Sequence, residues 1–418
     1  MLYDFRWSQL SKGKRSSISI SSSCEVNFAQ LHTQRPSIKT SLYKVEQSQQ
    51  QHEVPDKAQF TTMKFTHQLH GLILTVSTIL FSLGGVTASK KANDVVEKVY
   101  QFPGPPNPFL ENLLVLDDDK ETLILTDVVL PNLHILPAHA SNISHRTIPL
   151  PEPGEFSLGI VEMAPGEIYF LAAANLSFED LTVAKNSTRL YQLHLPDYSI
   201  TKVHDLPEVT FLNGLAPLND HVLLAADSRL GAVWSINLRT KDVKIAVQDP
   251  LMVPTNPNGT SLLGADGLKV LQPCTNRSSE PAQLLFSNEN TRILGAVPMS
   301  SSGIPLGAAR VLARAEQPNP PTGQEVFYDD FAVSHDRKSI YSSTGYGNSL
   351  VSIDVKTGEQ KNLTSGTELP LWVTTSAALS KKKEGVVYGI TTGGQPGKGV
   401  KEQVGSMVFK VTLPLGSK

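Results

Sequence analysis

The chain has 418 residues, 40% of them hydrophobic, with a formal net charge of -2. That apolar content suffices for a large core, and the near-neutral charge, with Lys and Arg scattered, argues against a nucleic-acid-binding surface. No phosphate-binding Gly-rich loop, HExxH or GxSxG occurs, so nucleotide hydrolysis, zincin chemistry and elbow-type serine hydrolysis lack their usual signatures.

Residues 1–62 are rich in Ser, Gln, Lys and Arg and carry no sustained hydrophobic period, so they are expected to be disordered or to precede the true start. Residues 63–88 have the layout of a secretory signal peptide. Met63-Lys64-Phe65 opens it, Leu69 to Leu83 is mostly apolar, and Val86-Thr87-Ala88 offers small residues for cleavage. The apolar part is short of the ~20 residues a span needs, which weighs against the alternative of a signal anchor. Six Asn-x-Ser/Thr sequons follow, at Asn142, Asn175, Asn186, Asn258, Asn276 and Asn362, and none precedes the signal. The expectation is a glycosylated protein of the secretory pathway, delivered outside the cell or to the vacuolar lumen, with no stable membrane span after cleavage. Of the two cysteines, Cys24 and Cys274, only Cys274 would remain, so no intrachain disulfide is expected.

Residues 89–418 repeat one unit. It is plainest from Phe211 to Asn237, where FLNGLAPLNDHVLLAADSRLGAVWSIN reads as three short antiparallel strands, and Asp242 to Val247 offers a fourth. Its inner strand carries a recurring frame, with first positions Glu111, Leu158, Asn213, Asp266, Asp329 and Thr375, spaced 47, 55, 53, 63 and 46 residues apart. Six near-equal periods predict an all-β, six-bladed β-propeller. Lys98-Val99-Tyr100-Gln101-Phe102-Pro103 resembles the outer strands at Lys202 to Pro207 and Arg146 to Pro151 but has no blade before it. The last blade runs out of chain after three strands. The N-terminal strand is therefore expected to complete the C-terminal blade and close the ring.

Inner strands of a propeller start at the central channel. Glu111, Asn213, Asp266 and Asp329 all bring oxygen donors there, a set suited to a divalent cation, calcium first, with no soft Cys/His zinc site. Asp and Asn also favour turns before strands; four at one frame position favour the ligand reading. No nucleotide or organic cofactor is expected.

These frame residues, with the FLNG, ADGLKV, LLAADSRLGAVW and DDFAV segments, resemble the superfamily of gluconolactonase, regucalcin and squid-type phosphotriesterase over about residues 95 to 415. The resemblance implies that Glu111, Asn213, Asp266 and Asp329 hold a divalent cation at the channel floor. Asp266 departs from the pattern, since Asn is usual there. The signal, the sequons and the LEN, FLNG and DDFA wording are most similar to a secreted fungal subgroup that includes hetero-Diels-Alderases of tropolone-sesquiterpenoid biosynthesis.

Scaffold does not fix reaction, and three readings follow for a monomer acting on a small molecule. The first is cycloaddition of a quinone-methide-like diene with a terpene alkene, which needs only an apolar mouth that holds both partners. Phe109, Phe211, Tyr328 and Trp372 are its candidate lining residues, Tyr328 and Trp372 its catalytic ones, and Trp234 is expected to pack between blades. The second is metal-dependent lactone or ester hydrolysis, with Asp266 or Asp329 as base and Asp266 the better fit. The third is ligand binding without catalysis.

Overall fold

A computed structural model of the chain describes residues 94–104, 106–139, 143–256, 262–273, 280–316, 325–394 and 404–414. The 1–62 and 63–88 segments, Cys274, Asn142, Asn258 and Asn276 lie outside them. Strand β1 (Val95–Gln101) comes first. Blade one is β2 (Leu110–Val115), β3 (Thr122–Asp127), β4 (Asn132–Pro137) and β5 (Arg146–Pro149). Blade two is β6 (Glu155–Ala164), β7 (Glu167–Ala174), β8 (Arg189–His194) and β9 (Ser199–Asp205). Blade three is β10 (Leu212–Asn219), β11 (Val222–Asp227), β12 (Ala232–Asn237) and β13 (Val243–Gln248). Blade four is β14 (Ala265–Leu271), β15 (Ala282–Asn288), β16 (Ile293–Met299) and β17 (Arg310–Arg314). Blade five is β18 (Phe331–Val333), β19 (Ser339–Ser343), β20 (Leu350–Asp354) and β21 (Gln360–Asn362). Blade six is β22 (Thr374–Leu379), β23 (Val386–Thr391) and β24 (Met407–Thr412), and β1 is its outer strand. Each blade is a four-stranded antiparallel meander, and the ring is a six-bladed β-propeller.

The ring closes as the outer-strand repeat predicts. Val95 pairs with Thr412 and Gln101 with Met407, so the last blade has no open β24 edge. Apolar side chains on both faces of each sheet make the core a series of layers between neighbouring blades. One layer joins Tyr169, Leu171 and Leu190 of blade two to Leu215, Leu223 and Trp234 of blade three. Trp234 is buried there, its Nε1 donating to Asp227 Oδ2 at 3.1 Å.

A feature of the inner strands aims side chains at the channel. In five blades the register with the second strand slips by one residue at the first and second frame positions, between Leu110 and Leu113, Ser157 and Ile160, Leu212 and Leu215, Ala265 and Leu268, and Thr374 and Ala377. These are β-bulges, which bend a strand and re-aim a side chain. In three blades the second bulge residue is glycine, because a Cβ there would strike the next blade. At Gly214 it would lie 2.1 Å from the Asp266 carbonyl oxygen, and at Gly159 2.1 Å from that of Asn213.

Candidate functional site

The strand starts converge. Glu111, Asn213, Asp266 and Asp329 are all buried, and oxygens of Glu111, Asp266 and Asp329 lie within 4.8 Å of one another. Asn213 stands between two of them. Its Nδ2 donates to Glu111 Oε1 at 2.8 Å and to Asp266 Oδ1 at 2.7 Å, while its Oδ1 accepts from Asn112 Nδ2 at 3.2 Å. Ser228 Oγ adds a hydrogen bond to Asp266 Oδ1 at 3.1 Å.

Three carboxyls this close and this buried favour protonation. Burial first, then the charge of Asp266, pushes Glu111 up to about 8. Burial also raises Asp266 to about 6, the bonds from Ser228 and Asn213 working against it. Asp329 is raised by burial and then by Glu111, Glu289, Asp266 and Asp330. The donor set fits a hard divalent cation. It offers carboxylate oxygens and an amide that can turn its oxygen inward, and its crowding is relieved by a positive charge.

Above this floor lies a cavity of ≈ 350 Å³ whose wall is mostly apolar. Blade one contributes Phe109, Glu111, Val128 and Val129, and the connection between β7 and β8 contributes Phe178, Glu179 and Leu181. Phe211, Asn213, Leu262, Leu263, Glu289, Phe327, Asp329, Tyr346, Val373 and Thr375 continue the wall around the ring. The Phe109 and Phe178 rings lie 5.9 Å apart, and Phe327 meets Tyr346 edge-on at 5.5 Å. Buried aspartates fix the strand approaches. Phe109 N donates to Asp127 Oδ1 and Phe211 N to Asp227 Oδ1, each at 3.1 Å.

Phe109 and Phe211 thus line the cavity as expected from sequence, whereas Tyr328 and Trp372 do not. Tyr328 is fully buried in the layer between blades four and five, and its hydroxyl donates to Gln360 Oε1 at 2.6 Å. Its neighbour Phe327 faces the cavity instead, and Val373 takes the place expected for Trp372. Asp266 sits under Asn213 and not on the cavity wall, which fits it to the floor cluster better than to the role of base. Glu289, unnoticed in the sequence because it lies in the turn after β15, off the frame, borders the cavity and acts on Asp329 electrostatically. Of the sequon asparagines, Asn175, Asn186 and Asn362 are exposed.

Solved structures resemble this chain in fold. A luciferin-regenerating enzyme matches with a TM-score of 0.53 and 16% identity, over 78% of this chain and 96% of its own. A calcium-binding regucalcin from Agrobacterium tumefaciens matches at 0.50 and 13%, over 76% and 93%. A protein proposed to be a gluconolactonase also matches at 0.50 and 13%, over 77% and 92%. At these identities the likeness is one of fold. No protein-family model matches the sequence, and no curated protein does. Among the described residues, no helix is long and apolar enough to cross a membrane.

Proposed function

We propose that the chain is a divalent-cation-dependent enzyme that hydrolyses a small lactone or ester. The observation that carries this is the buried cluster of Glu111, Asp266 and Asp329 at the base of an apolar cavity. Glu111, Asp266, Asp329 and, with its amide turned, Asn213 would hold the cation. Calcium suits these oxygen ligands best, and the resemblance to regucalcin and gluconolactonase folds supports the reading. Bound there, a divalent cation supplies Lewis acidity toward a carbonyl oxygen. Glu289, on the cavity wall beside Asp329, is the base that takes a proton from the attacking water. The apolar wall holds the rest of the substrate and excludes bulk water. Secretion through the signal at residues 63–88, and a monomeric state, complete the proposal.

A second reading, cycloaddition, rests on the aromatic wall of Phe109, Phe178, Phe211, Phe327 and Tyr346. It needs a shaped mouth and no base. The test sets a panel of aldonolactones and alkyl esters beside a quinone-methide precursor with a terpene alkene. Hydrolysis should be lost on chelation and restored by calcium, magnesium or manganese. Glu289→Gln should lower kcat about 100-fold or more, as loss of a positioned base does, with cation affinity retained. No hydrolysis, together with a cycloadduct ratio that departs from the uncatalysed background and survives chelation, would install the second reading.

A further inference from the structure

Ten non-glycine residues among those described hold a left-handed backbone. Only two of them are aliphatic, Leu181 at φ 51° and Val373 at φ 52°, and both line the cavity. That backbone is unfavourable for any residue with a Cβ and worst for a β-branched one such as valine. Strain of this kind persists only where the surroundings impose it, and it gathers at ligand sites.

The surroundings are visible at both positions. Val373 N donates to Asn348 Oδ1 at 2.8 Å, and Val373 O accepts from Thr392 N at 3.0 Å. Leu181 lies in a turn closed by Ser177 N to Thr182 O at 2.8 Å and by Thr182 Oγ1 to Asp180 Oδ1 at 2.8 Å. None of these bonds uses the aliphatic side chain. Glycine would adopt either backbone without strain, so the two side chains are retained for what they touch. Val373 touches Phe327 and Tyr346, and Leu181 packs, partly buried, against the layer that holds Leu158 and Phe211, which line the same cavity.

The wall also carries charge of one sign. Its charged members, Glu111, Glu179, Glu289 and Asp329, are all acidic, and the described lining residues include no Lys, Arg or His. An anionic ligand would lose its hydration and meet like charge.

We propose that Leu181 and Val373 are specificity-determining residues that select a compact, uncharged apolar group as the non-reacting part of the ligand. This rests on the cavity being the substrate site named above and holds whichever reaction occurs there. The probe is N-phenyl-1-naphthylamine, a neutral fluorescent aromatic, titrated into the full chain beside the anionic 1-anilinonaphthalene-8-sulfonate. The neutral probe should bind at least about tenfold more tightly. Leu181→Gly and Val373→Gly should each weaken it by about tenfold, the effect of removing a few carbons from an apolar pocket. Both should melt at or above the wild-type temperature within a few degrees, because glycine relieves the strain. Val373→Ala keeps the strained backbone and trims the contact, so it should weaken the probe without any gain in stability. Unfolding of both glycine variants would assign these side chains to core packing and overturn the proposal. Unchanged probe binding in the variants, or preference for the sulfonate, would do the same. Absence of ester hydrolysis with these binding results intact would remove the hydrolase reading alone.

Discussion

At Asp329 burial and like charge act in the same direction, and the chain offers no basic side chain among the described residues of the cavity to offset them. Lys269, on the inner strand of blade four, is turned to Asp330, its Nζ 2.6 Å from Asp330 Oδ1. A cation that binds the folded cluster and not the unfolded chain stabilises by mass action, about 2.7 kcal/mol at a hundredfold excess over Kd. Calcium should therefore raise the melting temperature by several degrees, and chelation should reverse the gain. Asp329→Ala should abolish the calcium response, while the metal-free variant should melt no lower than the metal-free parent because one repelling carboxyl is gone. Thermal melts with and without chelator check both. A full calcium gain retained in Asp329→Ala would place the ion elsewhere.

The inner strand of each blade shows what the sequence could and could not carry. Glu111, Asn213, Asp266 and Asp329 were legible because one period of about 50 residues brings the same strand position to one axis. The ring closure was legible because β1 repeats the outer-strand pattern. Both misplaced aromatics, Tyr328 and Trp372, are displaced by one residue from the side chains that face the cavity, Phe327 and Val373. A strand alternates sides at every residue, so one residue is enough to exchange core for cavity, and the extended stretches before β18 and β22 carry no periodic signal to set that phase. The bulges were hidden in the same way, since a slip of register leaves no mark in the apolar pattern and only a glycine in three of the blades. Gly159, Gly214 and Gly267 were their trace. Gly214→Ala should consequently destabilise the fold by about 1 to 3 kcal/mol, the usual cost of overpacking, because the new methyl group would have to displace the Asp266 backbone. It should also weaken calcium binding through Asp266. Denaturant midpoints and a calcium titration measure the two effects, and a stable variant with unaltered affinity would show that the blades have room to part.

On the scale of the ring, the first and last blades also meet through a buried carboxylate. Glu121, in the turn between β2 and β3 and itself at φ 50°, is fully buried against blade six. Its Oε1 accepts from Ser380 Oγ and from the Lys381 and Lys382 backbone N–H groups, and its Oε2 accepts from the Tyr388 hydroxyl at 2.7 Å and meets His139 Nε2 at 2.8 Å. The Lys382 ammonium is turned away, to Asp117 at 2.6 Å. Burial alone would raise the Glu121 pKa, but the bonds from Ser380, Tyr388, Lys382 and Lys381 outweigh it and leave it lowered. A carboxyl held below its unfolded value binds fewer protons in the folded state, so its stabilisation is in full force above the unfolded pKa and is lost as pH falls through the folded one. Glu121→Gln keeps the shape and removes the charge. It should cost on the order of 2 kcal/mol near neutral pH, the scale of a hydrogen bond to a charged group. The loss should shrink toward zero below the carboxylate range, where wild-type Glu121 is itself protonated. Denaturant melts of both proteins from pH 7 to pH 2 would show the two stability curves converging at the acid end. Parallel curves would mean that the clasp acts through packing alone, and that the β1 to β24 pairing closes the ring without it.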